Sequence, residues 1–345
     1  MPEFSVVIPS YNHADFLREA VQSVLGQTIT DLELVVVDDG STDNSLQVLE
    51  NITDPRLQVV AQENRGAHAA INGGLDLASG RYLAILNSDD AFHPQRLERI
   101  QEVFAHHPQA GLVGSHIQIV DSAGKPLGVK HGYEDCPPWL LEQPERSFRA
   151  GFDLHAALLT ENYWSTTSNF AFRRELYYQV GEFLPLRYTH DWDYALRLAQ
   201  AAPSYLIPEP LVRYRVHGSN TIRENPAAMI FEILWILAVH LPQHTAETGF
   251  FEAQALDKRI DQLLYSIYAF GMERVLSVML LQRLDADPQA ALRLLDPNDA
   301  VRERYLDFLR RALADNTSSV SNAGLSPLAI AKAGLKKVRD RTRGR

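Results

Sequence analysis

Cysteine is almost missing from this chain: Cys136 is the only one in 345 residues. A single thiol excludes an internal disulfide and suits a reducing compartment. Long apolar runs are missing too. None reaches the roughly 18 residues that a bilayer span needs, and the first residues carry neither a basic region nor a cleavage site. The expectation is a cytoplasmic protein without a span or a signal peptide.

Glycine is absent where two nucleotide-binding folds require it. A dinucleotide site needs a Gly-x-Gly-x-x-Gly turn after the first strand, and this chain has "PSYNHAD" there. No phosphate-cradling P-loop occurs, nor the glycine-rich basic loop of a nucleotidyltransferase near the N-terminus. Positive charge is also in deficit, with 33 Lys and Arg against 43 Asp and Glu, for a net charge of −10. That balance argues against nonspecific nucleic-acid binding, so no nucleic-acid partner is expected.

What remains is an ordinary globular composition, 46% hydrophobic and 22% charged. The first hundred residues alternate strand and helix patterns. "FSVVIP", "LELVVVDDGS", "RLQVVAQ" and "RYLAILNSDD" read as strands, with helices through "DFLREAVQSVLGQ", "TDNSLQVLENI" and "AHAAINGGLDLASG". Nearly continuous apolar strands between helices imply a parallel sheet covered on both faces. "GLVGSHIQIVDSAGKPLG" reads as a hairpin, and residues 131–168 as a long functional loop or short helices. "HDWDYALRLAQAA" is helical, "SYLIPEPLVRYRVHGSN" extended, and the composition after Pro226 helical. The expected division is an α/β domain over 1–222, a helical domain over 223–325 and a basic tail over 326–345. Lys332 to Arg345 holds seven basic residues and one acid. That run reads as a solvated tail or as an attachment to an anionic membrane surface, each cation being worth about 1 kcal/mol there.

In an open parallel sheet, ligands sit beyond the carboxyl ends of the strands. Here those ends deliver Ser10, Tyr11 and Asn12, then Asp38 and Asp39, then Asp89 and Asp90. Two acid pairs on one sheet edge suit a hard divalent cation, Mn2+ or Mg2+, that carries a nucleotide diphosphate. Asp90 then reads as the metal ligand and Asp89 as a ribose or metal-water contact. Helix capping is the rival reading for Asp90, Asp38 and Asp39.

The stretches "SVVIPSYNHADFLREAVQSVLGQT", "LELVVVDDGSTDNS" and "NRGAHAAINGGLDLASGRYLAILNSDD" resemble a family 2 glycosyltransferase with the GT-A fold. A weaker likeness continues to about residue 220 through "SNFAFRRELYYQVGEF", "HDWDYALRLA" and "YRVHGSN". The resemblance implies an inverting transferase that uses a nucleotide diphosphate-sugar donor and a glycan or lipid-linked acceptor. Bacterial polysaccharide, lipopolysaccharide or surface-glycan assembly is the implied setting. It implies nucleoside contacts at Pro9, Tyr11, Asp38, Asp39, Asn64 and Gly66, and a metal and ribose motif at Asp89 and Asp90. Asp191 matches the catalytic base, with Asp193 as its rival two residues on. His217 matches a histidine that faces the diphosphate.

Three positions depart from the family pattern: Asn87 stands for the first acid of the metal motif, Ile71 for an arginine, and His190 for a glutamate. Trp164, Trp192, Ser168 and Asn169 are candidate acceptor contacts, with loop packing as the alternative for the aromatics. The helical region reads as core, as an acceptor-binding part or as a homo-oligomer face. A noncatalytic nucleotide-sugar scaffold and a nucleotidyltransferase remain as rival functions.

Overall fold

The computed structural model describes residues 1–133, 148, 154–159, 161–218, 225–248 and 288–320. Cys136 and the basic tail lie outside them. The chain divides into two compact units, Met1–Asn220 and Thr221–Arg345.

The first unit is built on one sheet. Strands β1 (Phe4–Ser10), β2 (Leu32–Asp38), β3 (Leu57–Ala61) and β4 (Tyr82–Ile85) run parallel in the order β3-β2-β1-β4. β1 is buried along its whole length, as its valine-rich sequence requires, and its side chains alternate between the two faces. Phe4, Val6 and Ile8 join Leu34 and Val36 in the main core. Val35 and Val37 face the other way, onto Ala70.

Helix α1 (Ala14–Leu25) covers the first face with Leu17, Ala20, Val21 and Val24, the spacing of an amphipathic helix. Helix α2 (Ser45–Glu50) follows β2. Helix α3 (Ala67–Leu77) covers the second face. It can approach because Gly74 has no side chain: a Cβ there would stand 2.3 Å from Val7 Cγ1.

Two features of this mostly parallel sheet go beyond the pattern of the first hundred residues. β3 is an edge strand paired only with β2, and three of its five residues are exposed. Beyond β4 the sheet is mixed. β8 (Ala171–Arg173) runs antiparallel between β4 and β6 (Leu112–Val120), and β6 pairs parallel with β9 (Ser204–Arg215). β7 (Pro126–Lys130) completes the expected hairpin with β6, and β5 (Ala91–Phe92) closes the edge on β9. Helices α4 (Arg96–His106), α5 (Leu154–Leu158), α6 (Arg174–Val180) and α7 (His190–Ala201) complete the unit's described helices.

The second unit contains α8 (Pro226–Thr248), α9 (Pro288–Arg293) and α10 (Ala300–Val320). Phe231 and Tyr305 meet at 6.2 Å, and Trp235 Nε1 donates to the carbonyl of Ala291 at 2.7 Å. Among the described residues, no helix is long and apolar enough to cross a membrane.

Candidate active site

The tips of β1, β2 and β4 lie side by side. Ser10 is in register with Asp38, and Leu86 N donates to the carbonyl of Val7. Asp38 is buried, and its Oδ1 accepts from Ser41 N at 2.9 Å, shaping the turn after β2. Asp39 does more. Its Oδ1 accepts from Gln62 Nε2 (2.7 Å) and Arg65 N (2.8 Å), and its Oδ2 from Gly66 N (2.8 Å). The carboxylate therefore pins the loop that carries Asn64 and sits against the start of α3, where a helix favours negative charge. Gly66 closes that loop at φ 91°, a conformation open to glycine at little cost.

Pro9 is buried within β1, whereas the ring of Tyr11 is 46% exposed at the rim. Asn12, which sequence reasoning left without a role, adopts φ 53°. Its Oδ1 accepts from Thr42 N (2.8 Å) and Asp43 N (3.3 Å), so it ties the β1 turn to the β2 turn.

At the β4 tip the two acids part company. Asp90 is 2% exposed, and both of its oxygens are taken: Ser168 Oγ donates to Oδ2 (2.6 Å) and Arg215 N to Oδ1 (2.9 Å). Burial, then the neighbouring charge of Asp89, pushes its carboxyl well above the usual carboxylate range. Asp89 faces His217 instead, with Oδ2 2.9 Å from Nε2. His13 completes the group, and one ligand atom from each of His13, Asp89 and His217 lies within 4.8 Å of the others. Asp90, expected from sequence as the ligand, is not among them. Its carboxylate is turned into the scaffold.

Arg215 holds this corner. Its guanidinium donates to the carbonyls of Asp89 (3.0 Å) and Ser122 (3.1 Å) and to Glu19 Oε2 (2.6 Å). Asn87, in place of the usual first acid, bonds Thr166 and Thr167 through its side chain and Ser168 Oγ through its backbone N–H.

Asp191 and Asp193 also separate. Asp193 is 1% exposed and takes a forked bond from Arg197 through Nε (2.9 Å) and a terminal nitrogen (2.7 Å). Among the described residues, Asp191 has no such cation. Its Oδ1 accepts from Trp192 N and its Oδ2 from Asn162 Nδ2 (3.1 Å). Desolvation raises its pKa to about 6, against the lowering effect of those two bonds. Asn162 carries no sequence signal, because it lies in the loop-rich region 131–168.

The four candidate acceptor contacts do not present open faces. Trp164 is 1% exposed and packs with Phe148 and Phe170. Trp192 is likewise buried, and its Nε1 donates to the carbonyl of Leu158. Ser168 is consumed by Asp90 and Asn87, and Asn169 bonds both the N–H and the carbonyl of Ser115. All four side chains are buried, and apart from the Trp164 indole N–H, which has no partner among the described residues, their polar groups are spent on the framework.

Two side chains report that the acids share one neighbourhood. The buried Tyr214 hydroxyl is raised first by burial and then by the charges of Asp90, Asp89 and Asp191. His68, in the first turn of α3, is lowered first by burial and then by His190, while Asp39 acts in the opposite sense. His190, beside Asp191, is thus within electrostatic reach of the loop that Asp39 pins. Ile71, in place of the family's arginine, is fully buried, and its neighbour Asn72 bonds Phe183 in both directions.

A carboxylate oxygen and two imidazole nitrogens form a donor set that fits a divalent cation of the first transition row. The fit is of chemistry and spacing together.

Comparison with known proteins bears on the family and the fold. An uncharacterized glycosyltransferase of Nostoc sp. is 34% identical over 226 residues, covering 63% of this chain and 66% of its own. The chondroitin synthase of Escherichia coli is 29% identical over 223 residues, covering 64% of this chain and 30% of its own. The chain thus spans under two thirds to under a third of these relatives. Among solved structures, S. aureus TarS in complex with UDP-GlcNAc superposes with a TM-score of 0.54 at 18% identity, covering 92% of each chain. The mannosyltransferase PcManGT of Pyrobaculum calidifontis, in complex with GDP-Man and Mn2+, gives 0.52 at 19% identity, covering 91% of this chain and 87% of its own. These neighbours share the GT-A fold. The family model described as glycosyl transferase family 2 matches residues 5–181, from the second residue of β1 to the end of α6, and the chain belongs to that family.

Proposed function

We propose that this chain moves one sugar from a nucleotide diphosphate-sugar to a hydroxyl of a glycan or lipid-linked acceptor, with inversion, in the assembly of a bacterial surface polysaccharide or lipopolysaccharide. The observation that best supports the reading is the contrast between two carboxylates. Asp89 is paired with an imidazole at 2.9 Å, whereas Asp191 has no cationic partner among the described residues and has a pKa of about 6. The first arrangement suits a cation; the second suits a general base near neutrality. Relatives named chondroitin synthase and hyaluronan synthase, and neighbours bound to UDP-GlcNAc or GDP-Man, point the same way.

In this reading Tyr11 offers a flat face to the nucleobase, and the loop pinned by Asp39 borders the nucleoside through Asn64 and Gly66. Asp89 and His217 hold Mn2+ or Mg2+. When bound, that ion withdraws charge from the departing diphosphate as a Lewis acid. The acceptor oxygen attacks the anomeric carbon as the bond from that carbon to the phosphate oxygen breaks. Nucleoside diphosphate leaves with the electron pair, and Asp191 takes the hydroxyl proton. One displacement inverts the centre without a covalent sugar-enzyme intermediate. The reading keeps the chain in the cytoplasm, near the inner face of the membrane if the acceptor is lipid-linked.

The test is a panel of nucleotide sugars with Mn2+ and the full chain. Slow release of nucleoside diphosphate and free sugar is expected without acceptor. Pyrophosphate exchange would identify a nucleotidyltransferase. Tight binding with no turnover across the panel would identify a noncatalytic scaffold. Either result overturns the proposal.

A further inference from the structure

We infer that His13 is a third protein ligand of the cation, so that the site is built from one carboxylate and two imidazoles and selects Mn2+ or Co2+ over Mg2+. The inference rests on the reading of Asp89 and His217 as a cation pair and adds a residue and a preference to it.

Spacing is the first argument. Two neighbouring ligands of an octahedral ion with bonds of about 2.1 Å stand roughly 3 Å apart, and two opposite ones roughly 4.2 Å. Asp89 Oδ2 and His217 Nε2 are 2.9 Å apart, as neighbours would be. The ligand atoms of all three residues lie within 4.8 Å of one another, a spacing that one ion could span with small side-chain adjustment.

Orientation is the second. His13 is not a loose surface ring. Its Nδ1 is 2.8 Å from Ser88 Oγ, and Ser88 is 2% exposed. Its ring stands edge-on to His217 (5.7 Å between centroids) and to Phe16 (6.2 Å). Phe16 in turn packs on His217 at 5.1 Å and under the Arg215 guanidinium at 5.0 Å. A hydroxyl that accepts from Nδ1–H leaves the Nε2 lone pair for a cation, the arrangement by which outer partners orient ligating histidines.

Chemistry decides the preference. Hard Mg2+ favours oxygen ligands and keeps most of its water, whereas imidazole suits the first-row transition ions. Without His13 the Asp89–His217 pair would offer the ion one imidazole. Two imidazoles tilt the site toward the transition ion.

The decisive experiment measures Mn2+ binding by the full chain without nucleotide, by electron paramagnetic resonance of free Mn2+ and by competition with Mg2+. Wild type should bind one Mn2+ and prefer it to Mg2+. H13Q should bind Mn2+ at least about tenfold more weakly, since losing even an outer partner of a metal ligand costs about 10- to 100-fold. Its preference over Mg2+ should shrink with it. S88A, which frees the His13 ring, should lose about tenfold. If H13Q binds Mn2+ with wild-type affinity and preference, His13 is not a ligand, and the Asp89–His217 pair stands without it. If wild type binds no cation, with or without nucleoside diphosphate, the pair itself fails, and this inference with it.

Discussion

The hydroxyl of Ser168 donates to Asp90 Oδ2 at 2.6 Å and accepts from the backbone N–H of Asn87 at 2.9 Å. One side chain thus fastens both ends of the turn that carries Asp89. The two acids at this tip should therefore fail differently. D89N should abolish cation-dependent nucleotide binding with little change in Tm, because among the described residues the Asp89 side chain is hydrogen-bonded only to His217. S168A leaves a buried carboxylate oxygen and a backbone N–H without a partner. That costs about 1–3 kcal/mol, a fall in Tm of several degrees for a domain of this size. Calorimetry of both variants, with a nucleoside diphosphate titration, checks the division. Loss of folding in D89N, or an unchanged Tm in S168A, contradicts it.

Asp193 offers the corresponding test in α7. Its carboxylate, 1% exposed, is forked to Arg197. Removing one partner of a buried pair leaves a charge without compensation and costs about 3–5 kcal/mol; because Arg197 keeps 18% exposure, the lower end is expected. D193N should lose stability by urea denaturation, yet keep the pH dependence of turnover in the fraction that folds. A shifted pH profile would make Asp193 the base.

Tyr11 is exposed just beyond the tip of β1, where the proposed function puts the nucleobase. If its face stacks on the base, Y11A should weaken nucleoside diphosphate binding by about 1–3 kcal/mol, the usual worth of such a stack. Tm should not move, because little of the ring's burial is lost. Y11F should bind as wild type. Equal affinities for all three proteins would assign the base to another surface.

Much of this was legible in the sequence, for physical reasons. β1 and β2 are buried on both faces, so their valine runs announce them, and the acids after them stand out by contrast. β8 was not legible: Ala171–Arg173 is a strand only because β4 and β6 flank it, and three residues carry no period. Arg96 looks like its half-buried helix neighbour Arg99, yet it is fully buried and donates to Ser115 Oγ and the Ser168 carbonyl. The roles of Ser168, Asn162 and Arg215 depend on partners 78, 29 and 125 residues away. Spacing along the chain could not have paired them. Nor could it have shown that Asp90 is buried and bonded into the scaffold while Asp89 faces His217.

If Asp191 takes the acceptor's proton, as proposed, it sets the pH dependence of turnover. With a pKa of about 6 the carboxylate is mostly ionised at pH 7 and mostly protonated at pH 5. Only the ionised form can accept the acceptor's proton, so kcat/KM should fall about tenfold per unit below pH 6 and level off above it. Stability should run the other way. The folded pKa lies above the ordinary 3.8, so the group's stabilising contribution is complete below that value and is lost as pH rises through about 6. Ionised Asp191 is therefore held at a cost to the fold near neutrality. D191N should remove the acid limb together with transfer, keep nucleoside diphosphate binding, and show a Tm at pH 7.5 no lower than that of wild type. Rate profiles from pH 4.5 to 8 with thermal melts at both ends decide it. A D191N protein that melts earlier but still shows the limb near pH 6 would mean that another group takes the proton and that Asp191 merely caps its helix.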